Sequence, residues 1–425
     1  MRQRAIRYSS RAPGRLAVVL TALVLLCLIT GIAGALDVQR RKAGLTGIID
    51  RGGPLTSAAV EIYQSLSDAD ATAASAFLLV GGVERAELRE RYQLGIAEAA
   101  TALTTAAAGS PTGESAKLVT ELAASLPSYT GLVEAARMYN RLGLPQGGAY
   151  LREASHLVQS QMLPSAQRLY QAETTRLAQA QAKTGVVGWF PLGLGILAVG
   201  GLVVAQVYLA RATNRVLNAG LLVATVATVT AVSWFAIATT SAAEHSETSR
   251  VEGSAAVGAL AEARIKVLEA RSDEALTLVA RGGGRQYEEH FNQVRAQLDG
   301  DDGLLARAKA ASAGRPAGQA VDNAIIAWAA WLDSHQKVRA EDDKGNYNEA
   351  VVMVASQGPT GTGHLSSTVD GQLGLAIDHA TGRFEQESAK AAGALATADI
   401  GIGVLMVLAA FGVGFGFAPR IREFR

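Results

Sequence analysis

The chain has one cysteine, Cys27, in 425 residues. That excludes an intrachain disulfide framework and a thiolate metal site. Cys27 lies inside an apolar run, and Val24-Leu25-Leu26 before it lack the small residue that a lipoprotein cleavage site needs. It reads as a buried, inert thiol. Aromatic residues are scarce at 5%, charged residues are only 18%, and the formal net charge is +1. No global attraction to nucleic acid follows from that balance. The six histidines, His156, His245, His290, His335, His364 and His379, are scattered, with no pair at metal-ligand spacing. Gly282-Gly-Gly284 lacks the Lys-Ser/Thr of a phosphate loop and sits between two helical patterns. No Gly-x-Ser-x-Gly elbow occurs. Asp342-Asp343-Lys-Gly-Asn346 lacks the alternating acids and final Glu of a calcium loop, and reads as a helix end. No segment of useful length alternates with the period of a strand. Neither an enzyme, a cofactor nor a metal is implied.

What the chain does have is apolar length. Hydrophobic residues make up 49%, and four long apolar runs stand out: Leu16–Leu36, Val186–Ala210, Val216–Ala238 and Ile400–Phe417. The first, at 1.5 Å per helical residue, reaches across a hydrocarbon core of about 30 Å. A cleaved signal peptide is the competing reading, but the run is too long for a usual signal core. The two middle runs are separated only by Arg211-Ala-Thr-Asn-Arg215. Residues 1–15, 211–215 and 418–425 hold ten arginines against one acid, Glu423. The positive-inside rule then places both termini and the central turn in the cytoplasm of a multi-pass cell-membrane protein. Trp189 and Trp234 fall at the outward ends of the middle spans, where aromatic belts form.

The expected layout is a cytoplasmic N-terminus (1–15), a first span (16–36), an external segment (37–185) and a second span (186–210). A turn (211–215), a third span (216–238), a second external segment (239–399), a fourth span (400–417) and a cytoplasmic tail (418–425) follow. In the first external segment Leu55, Ala59, Ile62, Leu66, Ala69, Ala73, Ala76 and Val80 keep strict 4,3 steps, a heptad seam. Gly81-Gly82 is expected to end that helix. Further helices are expected over about 84–108, 113–142 (with a break open at Pro127) and 149–183. The second segment repeats the seam 199 residues later, at Ala261, Ile265, Leu268, Ser272, Ala275 and Val279. Its later helices are expected over about 286–313, 317–343, 347–356 and 365–396. The fold class is therefore an all-α membrane protein: four transmembrane helices and two extracytoplasmic antiparallel four-helix bundles in tandem, packed side by side as a pseudo-dimer. A homodimer of whole chains stays open.

Few residues offer chemistry. Asp68 and Asp70 lie beside the first seam and could help bind an amine or amino-acid ligand; a solvated face is the plainer reading. His335, Arg339, Asp342 and Asp343 form a polar stripe on the second bundle, with a solvated face or internal ion pairs as the plainer reading. Within the spans Gln206, Asn218, Thr225, Thr228, Thr230 and Ser233 suit hydrogen bonds between helices, and Gly412…Gly416 permits close helix contact. Broken helices or buried ionisable groups, which a transporter would need, are not evident.

The stretch Tyr63-Gln-Ser-Leu-Ser-Asp-Ala-Asp-Ala-Thr-Ala-Ala-Ser-Ala-Phe77, with Gly81-Gly82 and Arg89–Tyr92, resembles the sensor domain of bacterial chemoreceptors and sensor kinases. The second half has a matching late pattern, Trp331…His335…Arg339…Asp342-Asp343-Lys-Gly-Asn-Tyr347…Ala350-Val351. Two such units, four spans and no cytoplasmic domain resemble the actinobacterial GlnX-type membrane sensors. The resemblance implies a non-enzymatic relay: an external amino-acid-binding lipoprotein engages the bundles and a cytoplasmic serine/threonine kinase of the PknG type receives the signal. It transfers no ligand residue. Arg211 and Arg215, with the basic tails, are the expected kinase contact; fixing topology is the plainer role for them. The alternative function is a structural or accessory subunit of a cell-envelope or transporter complex. Membrane lipids are the remaining partner, and nucleic acid is not one.

Overall fold

A computed structural model describes residues 12–78, 86–109, 112–184, 188–213, 218–356 and 358–422. The described elements are helical, with no strand among the described residues. In chain order they are α1 (Ala12–Gly47), α2 (Gly53–Phe77), α3 (Ala86–Gly109), α4 (Glu114–Arg141), α5 (Gln146–Leu157), α6 (Leu163–Thr184), α7 (Trp189–Thr213) and α8 (Ala219–Thr248). Then come α9 (Ala255–Val279), α10 (Arg285–Leu298), α11 (Leu304–Ser312), α12 (Pro316–Asp343), α13 (Tyr347–Ala355), α14 (Thr362–Leu395) and α15 (Ala398–Arg422). Single π-helical turns at Ile48–Gly52, Val158–Met162 and Ser249–Ser254 join α1 to α2, α5 to α6 and α8 to α9. Four helical runs among the described residues are long and apolar enough to cross a membrane: Ala17–Phe77, Trp189–Arg211, Ala219–Val279 and Thr362–Ala418. The chain divides into two compact units. One holds residues 1–47, 180–247 and 387–425, the other 48–179 and 248–386.

The first unit contains the apolar runs. Cys27 is fully buried in its core, as its apolar neighbours imply. α8 and α15 meet at glycines: a Cβ on Gly220 would stand 2.5 Å from the Gly416 nitrogen and 2.6 Å from the Gly412 carbonyl oxygen. That is the close approach which small residues allow in apolar surroundings, where packing rather than hydrophobic burial must hold helices together. Asn218 reinforces it by donating to the Gly416 carbonyl at 2.7 Å. Gln206 donates to Thr225 at 3.0 Å. Thr228 bonds back to the Ala224 carbonyl of its own helix at 2.8 Å and also to the Cys27 side chain of α1. At the polar end of this unit Lys42 pairs with Asp399 at 2.6 Å.

The second unit brings the two long segments between the apolar runs into one body, with α2 and α9 deeply buried. Both seams lie inside: Ala59, Ile62, Leu66, Ala69 and Ala73 on α2, and Ala261, Ile265, Leu268, Ser272 and Ala275 on α9. Small residues bring neighbouring backbones close, and a Cβ on Gly95 of α3 would stand 3.3 Å from the Ser65 carbonyl oxygen of α2. Core residues of the two halves mix: Ile265, Ala275, Leu276, Leu278 and Val279 of α9 join the cluster around Ile62, Leu66, Tyr129 and Leu122.

Local chemistry explains where helices start and stop. The helix expected over 286–313 is broken in two. The linker Asp299-Gly-Asp-Asp-Gly303 puts Gly300 at φ +91°, a conformation other residues resist, and Asp299 accepts from the Trp328 indole at 2.7 Å. The helix expected over 149–183 carries the π turn Val158–Met162 just before Pro164. Proline lacks an N–H and clashes with the carbonyl four residues back, so the ladder widens there. By contrast α4 runs unbroken through Pro127. Arg281 and Gly282, at φ +43° and +88°, end α9. Gly81-Gly82 and Val80 lie outside the described residues.

The π turns at Ile48–Gly52 and Ser249–Ser254 stand at corresponding places, just ahead of α2 and α9. Phe384 of α14 meets both. A Cβ on Gly53 would come within 2.8 Å of its ring, and one on Gly253 within 2.7 Å of its Cα. Ser249 donates to the Phe384 carbonyl at 3.2 Å. π turns leave backbone groups loosely paired and recur at functional joints.

Candidate functional site

Beyond Glu61, the face of α2 that its seam leaves over is largely shielded from water. It meets α9, and the polar residues there are matched to each other. Asp68 accepts from Arg91 of α3, with Nη2 at 2.6 Å and Nε at 3.0 Å. Arg271 of α9 reaches the same carboxylate through Nη1 at 3.1 Å. Arg91 Nη2 also donates to Asp370 of α14 at 3.0 Å. Arg264 of α9 donates to Asp370 at 2.6 Å and to the Gln64 side-chain oxygen at 2.9 Å. Three guanidinium groups thus share two carboxylates. Burial alone would raise the Asp68 carboxyl, but Arg91, then Arg271 and Arg264, hold it below the usual range. Burial lowers the Arg271 guanidinium and the Arg91 charge lowers it further. Arg271 is 6% exposed, and its Nε has no hydrogen-bond partner.

Asp70, two residues on and on the opposite side of the helix, has a different setting. It is 2% exposed and accepts from Ser155 at 2.5 Å and from Ser272 at 2.8 Å. Burial pushes this carboxyl up, with the hydrogen bonds from Ser155, Ser272 and Gln159 opposing it. Asp68 and Asp70 are therefore not a solvated face: they lie where the two halves join.

A second cluster surrounds His335. Its ring stacks on Phe291 with centroids 3.9 Å apart, and its Nδ1 lies 2.8 Å from Glu274. Glu274 also accepts from the Trp331 indole at 3.1 Å. Glu288 stands 3.4 Å from His335 Nε2 and 3.4 Å from Arg339 Nε. Arg339 then pairs with Asp342 at 2.7 Å and Asp343 at 2.8 Å. Burial would lower the His335 imidazole, but hydrogen bonds to Glu274 and Glu288 raise it to about 9. His335, Arg339 and Asp342 are thus brought together as one ion chain, and His335 is buried rather than solvated. Beside it Asp273 is pushed up to about 6 by burial, against the pull of His290, whose Nδ1 lies 2.7 Å away.

The two described clefts of this unit, of about 520 Å³ and 370 Å³, are lined by other residues. No group of three or more histidine, cysteine or acidic side chains that could hold a metal ion occurs among the described residues. Arg211 is exposed in the last turn of α7, while Arg215 lies outside the described residues. Sequence reasoning missed Arg91, Arg264, Arg271, Glu274, Glu288 and Asp370. The signal for two of them was present: Arg271-Ser-Asp-Glu274 puts four consecutive polar residues into a helix whose seam is buried.

Comparison with known proteins gives one match. Residues 44–182 match the family model of the actinobacterial sensor domain. The match covers α2 to α6 and supports a sensing or signalling role. No curated protein and no solved structure matches the chain.

Proposed function

We propose that the protein is a non-enzymatic transmembrane signal relay. Its external unit reads an amino-acid-binding lipoprotein or its ligand, and a cytoplasmic serine/threonine kinase receives the state. Both termini and the 211–215 turn face the cytoplasm in this reading, and Arg211 and Arg215 offer the kinase its contact. The observation that carries it is the polar join between α2 and α9. A buried ion network costs much of what it returns, because its charges leave water. What it supplies is a defined register, and a second register becomes reachable when other partners stand within a small shift. Gln64 Nε2, Ser67 Oγ, Thr72 Oγ1 and Arg271 Nε are buried with no hydrogen-bond partner. Such unmatched groups along an ion-paired seam suit a joint with two arrangements, which helix shifts of about 1–2 Å would exchange. The sensor-domain match to residues 44–182 supports the reading independently.

The test is co-purification from native membranes, with and without added aspartate or glutamate. A solute-binding lipoprotein and a serine/threonine kinase are the expected partners, with recovery of at least one depending on the amino acid. Recovery of neither under either condition ends the relay reading and leaves a structural or accessory subunit. A reporter fused after Arg215 is expected to read cytoplasmic; an external reading would refute the topology.

A further inference from the structure

The larger cleft of the second unit, about 520 Å³, takes no part in the networks above. It lies in the second half, outside residues 44–182, and its volume falls in the range of about 300–1,000 Å³ usual for small-ligand sites. Its walls are the π turn carrying Glu252, the end of α11 at Ser312, the start of α12 at Arg315–Ala317, and α14 from Asp378 to Gln386.

Three features of this cleft lack a partner. Ser312 is 1% exposed, and its hydroxyl makes no hydrogen bond. Arg315 donates through Nη1 to the Ala311 carbonyl at 2.6 Å. Its Nε stands 3.9 Å from Glu252, beyond hydrogen-bond reach, and its Nη2 has no partner among the described residues. The 28-residue helix α12 begins without a side-chain cap at Pro316, which has no N–H. The Gly318 N–H donates to the Arg315 carbonyl at 2.9 Å, so the Ala317 N–H is the open donor of the first turn, with the positive end of the helix dipole behind it. The charged lining is balanced, with Arg315 and Arg383 against Glu252 and Asp378. The helix end tips it toward one added negative charge. Two would be opposed by both acids. Ala256, Ala317 and Ala380 supply an apolar wall.

We propose that this cleft binds a small organic monocarboxylate. The carboxylate accepts from Arg315, the Ser312 hydroxyl and the Ala317 N–H, and the carbon body lies against the alanines. Occupancy has a route to the joints. Glu252 belongs to the π turn before α9 and pairs with Arg383 at 3.0 Å. Arg383 precedes Phe384, which packs on Gly53 and Gly253. A ligand that draws Arg315 away from Glu252 changes what holds that turn. This consequence rests on the relay reading; binding itself does not.

The test is calorimetric titration of the full chain in phosphatidylcholine nanodiscs with benzoate. Succinate and inorganic phosphate serve as comparison anions. Saturable benzoate binding is expected, at least tenfold weaker in Arg315→Ala, partly kept in Arg315→Lys, and severalfold weaker in Ser312→Ala with unchanged thermal unfolding. Absence of saturable binding, equal affinity in Arg315→Ala, or tighter binding of succinate or phosphate would each overturn the proposal. Loss of benzoate binding in nanodiscs containing phosphatidylglycerol would assign the site to a lipid phosphate and overturn it too. None of these outcomes bears on co-purification of the lipoprotein or kinase, so the two readings fail separately.

Discussion

Replacing Asp68 by asparagine tests the join between α2 and α9 at its most connected point. The carboxylate holds Arg91 at 2.6 Å and Arg271 at 3.1 Å. At an effective dielectric near 20, a charge pair about 4 Å apart is worth roughly 4 kcal/mol. Neutralising Asp68 returns the desolvation cost of one carboxylate but strands Arg271 and leaves Arg91 only Asp370, with three arginines around that one carboxylate. Breaking a buried pair in this way costs about 3–5 kcal/mol. Arg271→Met differs, because it removes a buried cation that Arg91 repels and whose Nε is unmatched. It is expected to cost under about 2 kcal/mol. In the double variant the stranded Arg271 is gone, so the cost should fall short of the sum of the two singles by about 2 kcal/mol. The assay is hydrogen exchange of α2 and α9 amides in the full chain, which reads local opening directly. Asp68→Asn is expected to speed exchange there by roughly two to four decades, at 1.36 kcal/mol per decade. A change of less than one decade, or strict additivity in the double variant, would show that water already screens these charges. The reasoning about a register-setting seam would then be wrong.

Three further outcomes follow from other contacts. His335 is raised to about 9 from an ordinary value near 6.5, so its stabilisation is complete below pH 6.5 and fades as pH rises through 9. About 2.5 units correspond to roughly 3 kcal/mol. Exchange in α12 and α10 should therefore accelerate between pH 6.5 and 9.5 beyond the intrinsic base-catalysed rise, and His335→Gln should abolish that excess. Phe384→Ala empties the space over Gly53 and Gly253 and should cost about 3–5 kcal/mol, read as faster exchange at both π turns; an effect at neither turn refutes their shared packing. Gly220→Leu forces α8 and α15 apart, since even a Cβ would collide with Gly412 and Gly416 backbone. A loss of at least 1 kcal/mol in unfolding of the reconstituted chain is expected, and unchanged unfolding would deny the close approach.

Periodicity made the apolar parts legible. The four long runs and the two 4,3 seams were visible because one-dimensional patterns report which residues avoid water. Gly412…Gly416 likewise pointed to a close contact, and Gly220 supplies the opposite face. The burial of Asp68, Asp70 and His335 was not legible. A polar face opposite an apolar stripe reads the same whether water or a matching polar helix covers it, and the partners lie 23 to 203 residues away, as Asp68 lies from Arg91 and from Arg271. The break at Gly300 was missed because the flanking segments share one helical phase, so periodicity carried across a linker that backbone chirality forbids.

The polar join and the apolar seams divide the work within the second unit. Leu66 and Ala69 of α2, like Leu268 and Ala275 of α9, bury apolar surface, and each fully buried leucine contributes about 1.5–3 kcal/mol. That stabilisation is non-directional, so small sliding changes it little. Asp68, Arg91, Arg271, Arg264 and Asp370 add little net stability but depend steeply on distance, so they select one position among many that the apolar seams would tolerate. If that division holds, replacing all five by apolar residues of similar size should keep or raise thermal stability, while the response that the proposed relay requires is lost. A variant that unfolds would show the ions to be structural. A variant that is stable and still responsive would place the switch elsewhere, with the paired π turns at Phe384 as the next joint to examine.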